Sequence, residues 1–291
     1  LFATSELFPL IKTGGLGDVA FSLPNALVEL GVDVRVVVPA YRRVLSNVDQ
    51  LRVLGWLALA DGREVRILSA THPAINFTLL LIDAAPLFDR DGLPYTDDQG
   101  HDWADNPQRF VSFCEASALL ATDALGDDWQ ADVVHANDWQ TALLPAFLSL
   151  VERPPRTLFT IHNLAYDCQF DYGTFQALHL PGHWWSMEHG EFYDRFSMLK
   201  TGLTTSDAIT TVSPRYADEI RTNEYGYGYA AILESLADND IYYDNTPENI
   251  LDLVDADRFE QRTGDRHHRQ GRQSVLVEQP QNIQFFDQGE S

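Results

Sequence analysis

Lys12-Thr13-Gly14-Gly15-Leu16-Gly17-Asp18-Val19 is the stretch on which the fold turns. It follows a short apolar segment that reads as a first strand, and it opens a helical pattern over 18–30 that Gly31 closes. Strand, glycine-rich turn and helix make the first unit of an α/β domain. Three glycines let backbone N–H groups come close to a ligand, and the helix N-terminus turns unpaired donors and a positive dipole end toward an anion. Lys12 adds a full charge just before the turn. The glycine spacing matches neither the P-loop nor the dinucleotide fingerprint. Spacing alone leaves two readings open: a cradle for phosphate, or a tight turn joining strand to helix.

Working outward, short apolar runs at 34–38, 64–68, 77–82, 133–136, 157–161 and 208–212 read as strands. Several are continuous and β-branched, as strands buried on both faces are. Helical patterns at 107–124, 139–150, 192–205 and 214–222 lie between and after them. Alternation of this kind predicts a parallel, doubly wound α/β sheet. It stops near residue 236, where an acidic stretch (238–249), the run Arg266-His267-His268-Arg269 and a Gln-rich segment (279–284) follow. The expectation is one domain over 1–235 and a divergent tail or junction over 236–291. The chain opens Leu1-Phe2-Ala3-Thr4, as though inside a strand and without the basic region of a signal peptide; a fragment is expected.

Composition narrows the function classes. Apolar residues make up 45% of the 291 and charged residues 22%, enough for a sizeable core. A net charge of -23 excludes a general nucleic-acid or anionic-membrane surface, which needs clustered positive charge. No uncharged apolar run approaches the roughly 18 residues of a membrane span. Only Lys12 and Lys200 are lysines, the other bases being arginine, as a salt-adapted source or a biased composition would give. Cys114 and Cys168 are too few for a disulfide scaffold and fit a reducing compartment; Cys114, in an apolar-periodic helix, reads as buried and inert.

A second polar group sits at later strand ends. His135-Ala136-Asn137-Asp138-Trp139 follows Val133-Val134, and Thr160-Ile161-His162-Asn163-Leu164-Ala165-Tyr166 follows Leu158-Phe159. Open α/β sheets bind ligands beyond the carboxyl ends of their strands. Each histidine alone reads as a hydrogen-bonded structural residue. Together, on successive strand ends beside the glycine loop, these residues point to a polar ligand.

These motifs resemble those of bacterial glycogen synthases and plant starch synthases, the ADP-glucose-dependent glucosyltransferases. Further matching stretches are Pro86-Leu87-Phe88-Asp89-Arg90 with Pro94-Tyr95, Asp105-Asn106 with Arg109-Phe110, Phe192-Tyr193 with Ser197-Met198-Leu199-Lys200, Thr210–Pro214 with Tyr216, and Glu219-Ile220 through Glu224-Tyr225-Gly226. They keep the family's order over residues 1 to about 228. The resemblance implies a Rossmann-like N-terminal domain of a two-Rossmann, GT-B type enzyme whose C-terminal domain is missing from this sequence. It implies retaining transfer of glucose from ADP-glucose to the non-reducing end of an α-1,4-glucan. Catalytic roles fall to His162, on the donor sugar, and Asp138. Lys12, Gly14, Gly15, Leu16, Gly17, Asp18 and Asn163 would bind the donor and its phosphates. Tyr95, His135, Asn137 and Trp139 would line the acceptor and sugar pocket. No metal or other cofactor is implied, ADP-glucose being the substrate, and the location is cytoplasmic in a bacterium or plastidic in a plant-type source.

The pattern also breaks. Ile250-Leu251-Asp252-Leu253-Val254-Asp255 resembles the family's interdomain Ile-Leu-Asn-Gly-Ile-Asp, with Asp and Leu where Asn and Gly are usual. Asp167-Cys168 replaces the usual Gln-Gly after Leu164-Ala165-Tyr166. The family's remaining donor-binding Arg, Lys and Glu belong to the second domain, so the isolated 291 residues are expected to be inactive or nearly so. The rivals are a non-catalytic glucan-binding module, a related glycosyltransferase with another donor, and a truncated or frame-shifted chain. His183, His189 and Glu191 fit no standard zinc spacing; a loop over the cleft, with Trp184-Trp185 stacking or packing, suits them better. Arg266–Arg272 reads as a solvated segment or a small basic patch, and Asn76-Phe77-Thr78, inside a strand, is discounted as a glycosylation site.

Overall fold

The computed structural model describes residues 1–126, 128–237 and 241–243, with Pro247 and Ile250. The tail features expected at 251–259, 266–272 and 279–284 lie outside the described residues. Twelve strands are described: β1 (Phe2–Ala3), β2 (Arg35–Pro39), β3 (Asp49–Ala58), β4 (Glu64–Thr71), β5 (Thr78–Asp83), β6 (Val133–Asn137), β7 (Arg156–Ile161), β8 (Gln169–Phe170), β9 (Glu191–Phe192), β10 (Arg195–Ser197), β11 (Ala208–Thr211) and β12 (Ile241–Tyr243). Nine form one sheet in the order β12-β11-β7-β6-β1-β2-β5-β4-β3.

From β12 through β5 every pairing is parallel, as the continuous apolar runs predict. β2, β6, β7 and β11 are buried almost throughout. The far edge departs from the parallel expectation: β5, β4 and β3 run antiparallel. A tight turn reverses the chain between β3 and β4, where Leu59 donates to the Arg63 carbonyl at 2.8 Å and Gly62, φ 82°, donates to Leu59. β3 has no simple alternation to read, because two register shifts interrupt its pairing with β4.

Expected strand limits hold to within about three residues. Helices at Gly15–Glu29, Asn106–Ala121 and Pro214–Ile220 match three of the expected five. The expected helix over 139–150 is a 3-10 turn, Trp139–Thr141, followed by a short helix, Leu144–Leu148, with Pro145 in its first turn. The expected helix over 192–205 starts late, at Met198, because 191–197 forms the β9–β10 hairpin of a small sheet with β8. Cys114 is buried, as read, and burial pushes its thiol up to about 12. Among the described residues no helix is long and apolar enough to cross a membrane.

The order places the site. The chain leaves β1 toward β2 on one flank and later returns to β6 on the other. Right-handed crossovers in opposite directions put the connecting helices on opposite faces and open a crevice where the direction changes, beyond the carboxyl ends of β1 and β6. The glycine loop follows β1, Asp138 follows β6 and His162 follows β7.

Candidate active-site crevice

Glu6, just past β1, organises the glycine loop. Its buried carboxylate accepts the Thr13 N–H at 2.6 Å, the Thr13 hydroxyl at 2.5 Å, the Gly14 N–H at 3.2 Å and the Tyr95 hydroxyl at 2.7 Å. Because Tyr95 donates to Glu6, Ser5 Oγ is left to donate to Tyr95 at 2.7 Å. Burial first, and the Glu6 charge second, keep the Tyr95 phenol protonated. Glu6 escaped the sequence reading because a lone carboxylate in a six-residue opening has no periodicity or spacing to mark it.

The backbone at the glycines bears on those two readings. None of Gly14, Gly15 and Gly17 has positive φ. A Cβ on Gly14 or Gly15 would meet nothing within 4 Å, whereas one on Gly17 would press on the Lys12 stem at 3.1 Å. Neither turn geometry nor packing therefore demands glycine at 14 and 15, and the space above this helix start is open. No side chain caps that start, so its first-turn donors face the crevice. Leu16 is buried beneath the loop. Lys12 is not a free charge: its ammonium pairs with Asp18 at 2.5 Å, both side chains about half exposed.

At the end of β6, Asp138 is held at φ 63°, ψ 179°, a region that belongs almost wholly to glycine. The structure fixes it there: its N–H donates to the Thr160 carbonyl at 2.9 Å and its carbonyl accepts from Thr141 N–H at 3.1 Å. The side chain is buried, and its carboxyl is pushed up to about 7. Burial is the main cause and the Glu6 charge adds to it, against the backbone N–H groups of Asn163, His162 and Trp139. Strained backbone and buried carboxyls shifted toward neutrality both collect at functional sites, and Asp138 combines the two.

Asn137, fully buried, fixes His162. Its amide NH2 faces the Ala3 carbonyl at 3.1 Å, so its Oδ1 faces His162 Nε2 at 3.1 Å. An amide oxygen only accepts, so Nε2 carries the proton and Nδ1 remains an acceptor. Burial lowers the imidazole to about 4, so it is neutral at pH 7. Asn163 turns the loop outward, its Oδ1 accepting the Ala165 N–H at 3.1 Å.

The structure does not bring every expected residue into the crevice. His135 belongs to the sheet interior: its Nε2 meets Thr160 Oγ1 at 2.6 Å, its ring lies edge-on to Phe2, and burial lowers it to about 3. Trp139 packs under the site against Phe110, centroids 4.9 Å apart, and Tyr95. Arg109, fully buried, explains a matching stretch by holding the Leu87 and Pro94 carbonyls and Asn106, and so fixing the loop that carries Tyr95. Lys200 is also structural, donating to the Met187 carbonyl at 2.7 Å and the Glu191 carbonyl at 2.5 Å. Trp184 and Trp185 pack on Phe147 and Phe175. The unusual Asp167 accepts the Leu199 N–H at 3.0 Å and the Tyr229 hydroxyl, tying its loop to the Met198–Thr205 helix. Among the described residues no three His, Cys, Asp or Glu side chains are grouped to hold a metal ion.

The sequence model of the starch synthase catalytic domain matches residues 1–235. A glycogen synthase of Cellvibrio japonicus is 45% identical over 261 residues, covering 89% of this chain and 53% of that protein. Glycogen synthase 2 of Nitrosococcus oceani is 48% identical over 234 residues, covering 80% and 48%. The catalytic domain of starch synthase IV from Arabidopsis thaliana, solved with ADP and acarbose, superposes with a TM-score of 0.71 at 25% identity, over 85% of this chain and 52% of that one. The chain thus spans about half the length of the relatives it matches.

Proposed function

Because the chain belongs to the starch synthase catalytic domain family, we propose that its crevice is one wall of a retaining glucosyltransferase site. Glucose passes there from ADP-glucose to the non-reducing end of an α-1,4-glucan. The observation that carries this reading is Asp138, a strained carboxyl near neutrality at the topological switch point, beside a histidine whose tautomer is fixed.

The physical roles follow. ADP-glucose is an anion approaching a chain of net charge -23, so capture rests on local positive elements. The open helix start from Gly15 onward supplies donors for the diphosphate, the Gly14 N–H being held by Glu6, and Lys12 adds charge once it turns from Asp18. Positive charge develops on the glucosyl ring as the bond to the diphosphate breaks. A neutral His162 accepts a sugar hydroxyl at Nδ1 without opposing that charge, and ionised Asp138 favours it. Asn137 orients His162, and Glu6 sets the loop and Tyr95. Metal and cofactor have no assigned part. Bacterial relatives make a cytoplasmic setting part of the proposal.

Calorimetry with ADP-glucose and with maltooligosaccharide, followed by a glucose-incorporation assay on glycogen, tests the reading. The 291-residue chain, which spans about half the length of its relatives, should bind both ligands. Binding of glucan without any binding of ADP-glucose would instead make it a glucan-binding module. Binding of neither overturns the reading.

A further inference from the structure

Two tyrosines outside the crevice hold backbone conformations that bulky side chains avoid. Tyr193 (φ 51°) and Asp194 (φ 62°) are the two turn residues of the β9–β10 hairpin, where Phe192 pairs with Arg195. Positive φ at both positions marks a turn that favours Asn-Gly, and an aromatic ring there is a steric outlier. Tyr227 (φ 47°) precedes Gly228 (φ 87°) in a second strained turn. The two turns abut: a Cβ on Gly228 would lie 3.1 Å from Phe192 Cζ and 3.4 Å from Tyr193 Cε2.

Their footing is rigid. Phe192 stacks on Tyr229 with centroids 4.3 Å apart and planes 6° from parallel, and meets Tyr193 edge-on at 4.7 Å. The Tyr229 hydroxyl is tied to Asp167 and, at 2.9 Å, to Ser197. Yet Tyr193 is 77% exposed and Tyr227 58%. Strain that gains so little burial is not explained by packing, and outliers of this kind collect where a ligand is held. The ridge also leads to the crevice. Burial raises the Tyr216 phenol, with smaller contributions from the charges of Asp138 and then Tyr227, and the Tyr216 hydroxyl accepts the Leu164 N–H at 2.8 Å. The neighbouring Asn163 N–H faces Asp138 at 3.5 Å.

We propose that Tyr193 and Tyr227 form an aromatic platform that holds the α-glucan chain outside the crevice, an inference that rests on the function proposed above. The chemistry fits a neutral sugar polymer. Glucosyl rings present C–H faces that stack on tyrosine and hydroxyl edges that bond its O–H. A neutral chain is also not repelled by the acidic protein, as ADP-glucose is.

Calorimetric titration of the 291-residue chain with maltoheptaose and with ADP-glucose tests it. Tyr193→Gly and Tyr227→Gly remove the rings while placing at each position the residue its backbone favours. Their melting temperatures should match or exceed the wild type. Maltoheptaose affinity of the double variant should fall about 10-fold, with ADP-glucose affinity unchanged, and Tyr→Phe at both sites should keep most of the binding. Equal glucan affinity in wild type and double variant overturns the platform and leaves the proposed function standing. Loss of affinity that appears only with a lower melting temperature also overturns it. A wild type that binds ADP-glucose but no maltoheptaose overturns the platform alone; one that binds neither overturns both.

Discussion

Replacing Asp138 with Asn isolates the cost of holding an ionisable group in the crevice. Burial raises this carboxyl from its ordinary 3.8 to about 7. Each unit corresponds to 1.36 kcal/mol, so the ionised side chain costs the folded state about 4 kcal/mol. The sign follows from proton counting. Between the two values the folded protein keeps a proton that the unfolded chain has released, so stability falls as pH rises and the full cost is present above pH 7. Asn keeps the shape and cannot ionise. The stability of Asp138→Asn minus that of the wild type should therefore grow from near zero at pH 4 to about 4 kcal/mol at pH 8. His135 and His162, lowered to about 3 and about 4 by burial, act in the opposite sense. Their contribution is full above the ordinary histidine value near 6.5 and is lost as pH falls toward the lowered ones. Because both proteins carry them, they cancel in the difference. Urea unfolding followed by tryptophan fluorescence at pH 5, 6, 7 and 8 measures it. A difference that does not change with pH refutes the buried-carboxyl argument.

Other outcomes follow from the crevice. Gly15→Ala should leave thermal stability equal or higher, since alanine favours the helix by up to about 1 kcal/mol, while weakening ADP-glucose binding measured by calorimetry; unchanged binding would refute a ligand role for this glycine. Glu6→Gln should cost about 1–3 kcal/mol in denaturant unfolding and raise the ADP-glucose dissociation constant, since it strips a charged acceptor from Thr13, Gly14 and Tyr95. Lys12→Met should change stability by less than about 1 kcal/mol, as exposed pairs do, but reduce ADP-glucose affinity most at low salt; a salt-independent loss would argue against an electrostatic role.

How much of this was legible in the sequence depended on periodicity. Strands buried on both faces, such as Arg35–Pro39 and Arg156–Ile161, announce themselves as unbroken apolar runs. The edge strand Asp49–Ala58 did not, because its irregular register scatters Leu51, Val53, Leu54 and Trp56 to the surface. The pattern over 192–205 predicts a single helix and hides the hairpin of Glu191–Phe192 and Arg195–Ser197, because Tyr193-Asp194 lacks the glycine that usually marks such a turn. Residues of the crevice were legible where they stood at strand ends in polar clusters. The same pattern predicts His135 among them, whereas strand geometry puts it two residues inside, against Thr160. Glu6 and the strain at Asp138 are properties of assembled backbone, and no local pattern encodes them.

The two lysines have a practical consequence. Lys200 is sealed against backbone carbonyls, while Lys12 lies half exposed at the lip of the glycine loop. Amine-directed reagents therefore meet one accessible lysine in the whole chain, and it sits where the diphosphate is proposed to bind. A reporter dye or cross-linker attached through that side chain would mark the crevice without engineering a handle, and the rate of its attachment would be an occupancy gauge for whatever shields the loop.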